Sequence, residues 1–324
     1  MQQIFNDFSA LELVKDKKPL LVCDNAFDSF GIELPCEFVR FSGFTSNPLH
    51  EDVKAGVKVL RKNKCDFIVA IGGGSSIDTA KGIKYYNHID IPIMAVPTTS
   101  GTGSEATHFA AIYKNGEKQS IADERISPDY VILQPNLLKT LPLYHKKCTM
   151  LDALCQAIES WWSRRATPES IGFSREAIKL ILDNMGSYLK NEVEGNKNML
   201  AASNLAGKAI NITTTTAPHA MSYKLTSLYS LPHGHAVAIC LPKVWRYMKN
   251  YEDIAKALGK RNCEEAVSFF EELLHSLEIL PPKNISSDDL DILTSSVNVQ
   301  RLSNNPIRLD KYTTKVLYKE ILEV

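Results

Sequence analysis

Residues Phe67–Lys81 read FIVAIGGGSSIDTAK, and this stretch decides how the first part of the chain folds. An apolar run leads into three glycines and two serines, after which apolar residues recur at helical spacing. The pattern predicts a buried strand that turns tightly into a helix. Glycine amides at a helix start can also bind an anion, because the first N–H groups of a helix have no partner within it. A plain turn and an anion-binding loop are both compatible with these residues.

A second loop of the same kind follows the next predicted strand. Pro97–Glu105 reads PTTSGTGSE, and Asp24 ends the first predicted strand of the sheet. Loops at the carboxyl ends of parallel strands lie where open α/β sheets bind ligands, so the two loops together favour a pyrophosphate site. The first loop has neither the spacing of the dinucleotide GxGxxG motif nor that of a P-loop. Asp24 is either an acceptor for a ribose diol, which would repel a 2′-phosphate, or a turn-forming residue.

The wider pattern predicts two domains. Short apolar runs alternate with helical spacing up to about residue 142, which indicates a parallel, doubly wound sheet. From there on, helical spacing dominates and β-branched runs are scarce. We therefore predict an α/β Rossmann-like domain over residues 1–144 and an all-α domain over residues 145–324. The predicted strands are Pro19–Asp24, Glu37–Phe41, Phe67–Ile71 and Pro92–Pro97. The first three predicted helices are residues 48–63, 76–87 and 149–163.

Composition narrows the class of protein. The chain has 324 residues with 37 basic and 37 acidic side chains, so its balanced charge gives no reason to expect nucleic acid or a membrane surface as partner. The first residues lack the pattern of a signal peptide, and no apolar stretch is long enough to span a bilayer. The 7 cysteines include no CxxC pair. Free thiols in a reducing cytoplasm are therefore expected.

Candidate metal ligands occur in the second half. Asp152 and Gln156 are four residues apart on a predicted helix and share one face, and His219, His233 and His235 follow in two later segments. A carboxylate with two or three imidazoles suits a divalent metal. Taken singly, each histidine is more often a structural residue, and Asp152 could serve as a partner of the helix dipole.

Together these motifs resemble the iron-containing alcohol dehydrogenases. The segments that carry the resemblance are IGGGSSIDTAK, PTTSGTGSEAT, LDALCQAIE, HAMSYKLTSLYSLPHGHAVAICLP and Asn305–Pro306, which occur in the family's order between Leu20 and Pro306. The resemblance implies a Rossmann-like domain that binds NAD(H), with NADP(H) also compatible, a helical domain, and a divalent metal, iron or zinc, in the cleft between them. It also implies a small aldehyde or alcohol as substrate and a homodimer.

The resemblance also assigns roles to individual residues. The residues expected to bind the cofactor are Asp24, Gly73, Gly74, Ser75, Asp78, Thr98, Thr99 and Thr102, with Lys81 beside them. Those expected to bind the metal are Asp152, His219, His233 and, at the position of the family's fourth ligand, Gln156.

Two of the matched positions depart from the family. Gln156 stands where a histidine ligand is usual, and Tyr223 stands where a histidine is proposed as proton relay. An amide oxygen is a poorer ligand than imidazole for iron or zinc, so both metal affinity and metal identity are affected. The candidate catalytic residues are Tyr223, His235 and Lys118.

Within the family, the wording around Asp152 and the PHGHA segment resembles the phosphonoacetaldehyde reductase branch. The expected reaction is then reduction of phosphonoacetaldehyde to 2-hydroxyethylphosphonate. A phosphonate needs cationic partners and hydrogen-bond donors. The candidates are Lys118, Arg164, Arg165, Lys208, Lys224 and the Thr213–Thr216 run, with Lys118 and Lys208 preferred. For most of these charged residues, a solvated surface position is the alternative interpretation.

Three alternatives stay open at this point. The first is a general dehydrogenase of short-chain alcohols or polyols built on the same site. The second is a metal-dependent cyclase of the dehydroquinate synthase type, which shares the architecture and recycles NAD. The third is a nucleotide-binding protein without catalytic activity, suggested by the glutamine at position 156.

Overall fold

The computed structural model describes residues 2–115, 117–283, 285–298 and 302–323. The chain divides into two compact units, one comprising residues 1–141 with 191–207 and the other comprising residues 142–190 with 208–324. We keep residues 1–144 and 145–324 as proposed domain limits, and note that contacts group residues 191–207 with the first unit.

The first unit contains a parallel sheet and a separate hairpin. Its strands are β1 (Gln3–Phe5), β2 (Pro19–Cys23), β3 (Val39–Phe41), β4 (Phe67–Gly72), β5 (Ile93–Pro97), β6 (Phe109–Lys114), β7 (Glu117–Ala122) and β8 (Tyr130–Ile132). Six of them form a parallel sheet in the order β1-β8-β5-β4-β2-β3, and β6 pairs with β7 in an antiparallel hairpin. The α/β class expected from the sequence is confirmed.

The side chains of strand β4 belong to two apolar clusters, one on each face of the sheet. All of its residues are buried, since a parallel sheet is covered on both faces. Alternate side chains point to opposite faces, so Ile68 and Ala70 join one apolar cluster and Phe67, Val69 and Ile71 join another. The continuous apolar run that predicted the strand is the consequence of this two-sided burial.

The two faces of the sheet are covered differently. Helices α1 (His50–Asn63) and α2 (Gly74–Asn87) pack on the face that carries Ile68. The opposite face is covered largely by short 3-10 segments, Phe8–Val14, Asn25–Ser29 and Pro135–Thr140. The alternation of strands and helices in the sequence predicted helices on both faces of the sheet. The observed arrangement is therefore less regular than predicted.

The second unit is helical, as predicted. Its helices are α3 (Leu143–Trp162), α4 (Pro168–Leu189), the end of α5 (Val193–Thr213), α6 (Ala217–Tyr229), α7 (His233–Met248), α8 (Glu252–Ala257), α9 (Cys263–Ser276), α10 (Ser287–Ser296) and α11 (Lys311–Leu322). Helix α3 packs against α4 and α7, and α6 packs against α7. In the described part of the chain, no helix combines the length and hydrophobicity needed to cross a bilayer.

Candidate active site

The two glycine-rich loops of the first unit meet in space. A Cβ built on Gly74 would lie 2.8 Å from the Thr102 side chain, and one built on Gly73 would lie 3.4 Å from that of Thr99. Gly72, which ends β4, has φ +153°, a conformation that side-chain-bearing residues rarely adopt. Only glycine therefore allows this close approach. The structure brings together residues of the two segments that the sequence assigned to the cofactor.

The start of helix α2 has the features of an anion site. The first N–H groups of a helix point along its axis towards its start. Gly73, which precedes α2, has no side chain that could cap these groups. Thr98 follows β5 directly and donates its N–H to the carbonyl of Gly72 at 3.0 Å, which joins the two strand ends. The Ser75 hydroxyl donates to the carbonyl of Ser46. We retain these residues as proposed pyrophosphate contacts.

Asp24 lies next to this turn. Its Oδ2 atom is 4.0 Å from the position of a Cβ on Gly72, and its Oδ1 accepts the N–H of Ala26 at 2.8 Å. Asp24 therefore forms a turn with Ala26, which is one of its two interpretations from the sequence. Its other carboxylate oxygen lies near the turn at Gly72. Arg40 lies beside it and donates to the Asp24 carbonyl at 3.1 Å and to Asp28 at 2.6 Å. This neighbouring guanidinium was missed by the sequence analysis.

Asp78 and Lys81 hold the second loop to helix α2. The Asp78 carboxylate accepts the Ser104 hydroxyl at 2.5 Å and the N–H of Ala111 at 2.9 Å. The fully buried Lys81 ammonium donates to Ser104 and to the carbonyl of Phe109 at 2.8 Å. Burial lowers the pKa of Lys81 to about 8 against the opposing charge of Asp78. The cofactor contact predicted for Asp78 stays a prediction, because its two oxygens already accept hydrogen bonds from Ser104 in the loop and from Ala111 in β6.

In the second unit, three predicted ligands converge. One ligand atom each from Asp152, His219 and His233 lies within 4.8 Å of the others, and Asp152 and His219 are buried. The ring of His233 contacts that of His219, with centroids 5.2 Å apart. Asp152 comes from α3, while the histidines come from the first turns of α6 and α7. Oxygen and nitrogen donors in this number suit iron or zinc.

Two buried atoms of this group favour a bound cation. Asp152 Oδ1 and His219 Nε2 lie 3.3 Å apart, yet neither has a hydrogen-bond partner among the described residues. Buried polar atoms nearly always have a bonding partner. Two such atoms side by side without one therefore indicate a site for a group that accepts an electron pair from each of them. The donor set and these two atoms fit a divalent metal, and we propose that these residues hold it.

The ionisable side chains of the group shift one another's pKa values. Burial acts to raise the pKa of Asp152, but the imidazoles of His219 and His233 outweigh it and lower that pKa. For His219, burial acts to lower the pKa, and the carboxylates of Glu159 and Asp152 raise it to about 10. The carboxylates and imidazoles of the group therefore stabilise one another's charged forms.

Gln156 occupies the same face of α3 as Asp152. It is buried, and its side chain hydrogen-bonds Asp152, which contributes to the lowered pKa of that carboxylate. The structure thus places Gln156 beside the group as the spacing predicted. Whether its amide oxygen binds the metal stays a prediction.

Glu159 extends this face by one more turn. It is fully buried, and its Oε1 accepts a hydrogen bond from His219 Nδ1. Its Oε2 accepts the N–H of Thr216 at 2.7 Å and the Thr216 hydroxyl at 2.8 Å. The sequence analysis missed Glu159, although Asp152, Gln156 and Glu159 follow the i, i+4, i+7 spacing of one helix face.

Gly234 allows His233 to reach the group. A Cβ on Gly234 would lie 2.0 Å from the Cys148 carbonyl oxygen and 2.9 Å from the Cβ of Asp152. Helix α7 therefore begins in direct contact with the backbone of α3. The glycine between the two histidines of the PHGH segment is required by this close packing.

The candidate catalytic residues have different surroundings. Tyr223 is half-buried and stacks on His233, with an interplanar angle of 5° and centroids 5.6 Å apart. His235 points elsewhere: its Nδ1 is 2.9 Å from the Tyr144 hydroxyl and its Nε2 is 2.8 Å from the Leu280 carbonyl. These bonds favour a structural role for His235 over the predicted catalytic one. The side chain of Lys118 lies outside the described residues.

The threonine run considered for a phosphonate is engaged within the protein. The hydroxyl of Thr213 bonds Ser160 at 2.9 Å, that of Thr214 accepts from Asn304 at 3.0 Å, and that of Thr216 bonds Glu159. The hydrogen bonds of these three hydroxyls hold the end of α5 and the segment that precedes α6. The sequence analysis had considered the same hydroxyls as donors to a phosphonate.

The charged candidates for the phosphonate also lie in different settings. Arg164 donates to the carbonyl of Pro306 at 3.4 Å, and its neighbour Arg165 is exposed. Lys208 is half-buried, with its ammonium 5.9 Å from the ring centroid of Phe173, and Lys224 is also half-buried. Lys208 stays, with Lys118, a preferred candidate for the phosphonate contact predicted from the sequence.

Two family profiles match successive parts of the chain. The family profile described as "Iron-containing alcohol dehydrogenase" matches residues 6–135, and the profile of the C-terminal part of the same family matches residues 147–322. The chain is 34% identical to 1,3-propanediol dehydrogenase of Klebsiella pneumoniae over 276 residues, which cover 76% of this chain and 71% of that protein. The two profiles together account for most of the chain.

Two further proteins are similar over a larger share of the chain. Phosphonoacetaldehyde reductase of Streptomyces viridochromogenes is 29% identical over 81% of this chain and 77% of its own length. The crystal structure of sulfoacetaldehyde reductase from Bifidobacterium kashiwanohense in complex with NAD+ superposes with a TM-score of 0.92. It is 25% identical and covers 100% of this chain and 97% of that chain. By its profile matches and its relatives, the chain belongs to the iron-containing alcohol dehydrogenase family, a family of oxidoreductases.

Proposed function

We propose that the protein reduces a small aldehyde to its alcohol with NAD(P)H, and that its substrate is phosphonoacetaldehyde. The observation that carries the reaction class is the group of Asp152, His219 and His233, of which the first two are buried, in a chain whose family consists of alcohol dehydrogenases. The anionic substrate is supported by two relatives named as reductases of two-carbon aldehydes with a phosphonate or sulfonate group. The product would be 2-hydroxyethylphosphonate.

In this proposal the first unit binds the cofactor. The nicotinamide cofactor supplies the hydride, and NAD(H) is preferred because Asp24 would repel a 2′-phosphate. Gly73 and Gly74 allow the pyrophosphate to approach the start of α2, where N–H groups and the helix dipole favour negative charge. Thr99 and Thr102 line the same turn with hydroxyl groups.

The second unit binds the metal and prepares the carbonyl. A divalent metal ion held by Asp152, His219 and His233 would act as a Lewis acid towards the carbonyl oxygen. The reduction consumes one hydride and one proton, and the proton must reach that oxygen. Tyr223 stacks on His233 and is therefore our proposed side chain for delivering the proton.

The substrate is tested by steady-state kinetics. We expect kcat/KM for phosphonoacetaldehyde to exceed that for propanal and 3-hydroxypropanal, because an ionic contact contributes about tenfold or more. Lys208→Ala should raise KM for phosphonoacetaldehyde selectively. Lys179→Ala removes an exposed lysine paired with Asp183 and serves as the matched control. Equal kcat/KM for the charged and uncharged aldehydes would refute the phosphonate assignment.

A second candidate function is a general dehydrogenase of short alcohols or diols. It is favoured by the 34% identity to 1,3-propanediol dehydrogenase, which exceeds the 29% identity to the phosphonoacetaldehyde reductase. The same assays decide between the two, because this candidate predicts the highest kcat/KM for 3-hydroxypropanal and little effect of Lys208→Ala on any substrate.

A further inference from the structure

We propose that Glu159 is the positioning residue of the metal ligand His219, and that Thr216 holds Glu159 in place. This inference rests on the proposed function, since it assumes a cation bound by Asp152, His219 and His233. Glu159 would act through the imidazole, because the contacts of its carboxylate oxygens are with His219 Nδ1 and with Thr216.

The hydrogen bond to Glu159 selects one tautomer of His219. A carboxylate can only accept, so Nδ1 carries the proton and donates it to Oε1. In the neutral ring, the lone pair is then on Nε2, the atom that lies 3.3 Å from Asp152 Oδ1 within the ligand group. Histidine ligands are commonly oriented in this way, and such a partner also makes the imidazole a stronger base.

Thr216 makes this contact directional. The Trp162 indole donates to the Thr216 hydroxyl at 2.8 Å, so the hydroxyl's own proton is directed to Glu159 Oε2. The Thr216 backbone N–H donates to the same oxygen. Three donors therefore contact the carboxylate of Glu159, which is fully buried. Their hydrogen bonds offset the free-energy cost of burying its charge.

The segment that carries Thr216 is itself held. Asn304 donates to the carbonyls of Thr213 at 2.8 Å and Thr215 at 3.1 Å. Between them, Thr214 has φ +58°, which is rare for a β-branched residue and needs support from its surroundings. These contacts fix the residue that precedes helix α6, three positions before His219.

Glu159→Gln tests the inference because an amide cannot satisfy both neighbours. Its oxygen can face only one of His219 and Thr216, and its NH₂ group then meets a donor on the other side. We expect the dissociation constant for Zn²⁺, measured by competition with a chelator, to rise about 10–100-fold. NMR of 15N-labelled histidine in the Zn²⁺-bound protein should report a changed Nδ1–H signal at one residue, because its hydrogen bond to a carboxylate is lost, and a purely structural role of Glu159 would leave that signal unchanged.

Ser160→Ala is the matched control. Ser160 is equally buried and adjacent in sequence, and the described contact of its hydroxyl is with Thr213. This variant should lose stability but keep the wild-type dissociation constant. If Glu159→Gln does not fold, Thr216→Val and Thr216→Ser test the same contact, and only the valine variant should bind Zn²⁺ more weakly.

The outcomes separate the two proposals. Wild-type affinity in Glu159→Gln or in Thr216→Val would overturn the positioning role alone. Equal weakening in Ser160→Ala and Glu159→Gln would overturn it as well, because general destabilisation would then explain the result. If the wild-type protein does not bind Zn²⁺, Fe²⁺ or Co²⁺, both the proposed function and this inference fail.

Discussion

Gly234→Ala should separate a metal ligand from its partners. The added Cβ would lie 2.0 Å from the Cys148 carbonyl oxygen, whereas an ordinary contact needs at least 3.4 Å. Both obstructing groups near it, Cys148 and the Cβ of Asp152, belong to the buried helix α3, which cannot yield as a flexible side chain would. The first turn of α7, including His233, must therefore move by roughly 1 Å or more, since overpacked sites relax by backbone shifts.

This displacement is large for a metal site. Ligand distances are held to within about 0.2 Å, so we expect metal binding to weaken by about 100-fold or more. Overpacking should cost about 1–3 kcal/mol of unfolding free energy, partly offset by the better helix propensity of alanine, about 1 kcal/mol. Metal content after dialysis and chelator competition measure the metal affinity, and urea unfolding measures the change in unfolding free energy.

Gly172→Ala in helix α4 is the control for Gly234→Ala. A Cβ there meets nothing within 4 Å, and both glycines are near the start of a helix. We expect it to stabilise the protein by about 0.5–1 kcal/mol without changing metal affinity. If Gly234→Ala bound metal like the wild type, the argument that this glycine places His233 would be refuted.

Other consequences of the structure can be tested as directly. Asp24→Gly should raise kcat/KM for NADPH relative to NADH by about tenfold or more, because Arg40 stays beside the ribose position as a partner for a 2′-phosphate; unchanged preference would show that Asp24 does not contact the ribose. Lys81→Met should lower the unfolding free energy by about 3 kcal/mol, since acceptors on Ser104 and Phe109 lose their buried donor; a loss below the error of urea unfolding would contradict this. Removing metal with a chelator should lower the unfolding free energy by about 2.7 kcal/mol relative to a metal concentration 100 times the dissociation constant. An identical thermal transition with and without metal would argue against a site in the folded protein.

Much of the fold could be predicted because its signals are local. The run Phe67–Ile71 is apolar at every position because both faces of the sheet are buried, and this can be read without knowing the partners of the strand. The sequence analysis missed strands β1 and β8, which have three residues each. The hairpin β6–β7 was missed too, since half of its residues are polar or exposed.

The sequence by itself also determined the types of group at the candidate site. Glycines after two strands, a carboxylate on a helix and two later histidines indicated an anion loop and a metal. Asp152 and Gln156 were predicted to share a helix face, and the same periodicity would have included Glu159 had it been extended by one turn.

The tertiary structure alone decided which of these residues act together. His219 and His233 have the same residue type as His235, and their sequence neighbourhoods are alike. Their positions differ because α6 and α7 begin against α3 with two rings near Asp152, while His235 contacts Tyr144 and Leu280. Contacts between residues far apart in the chain, such as that of Glu159 with His219, depend on how helices pack, and no local pattern records that.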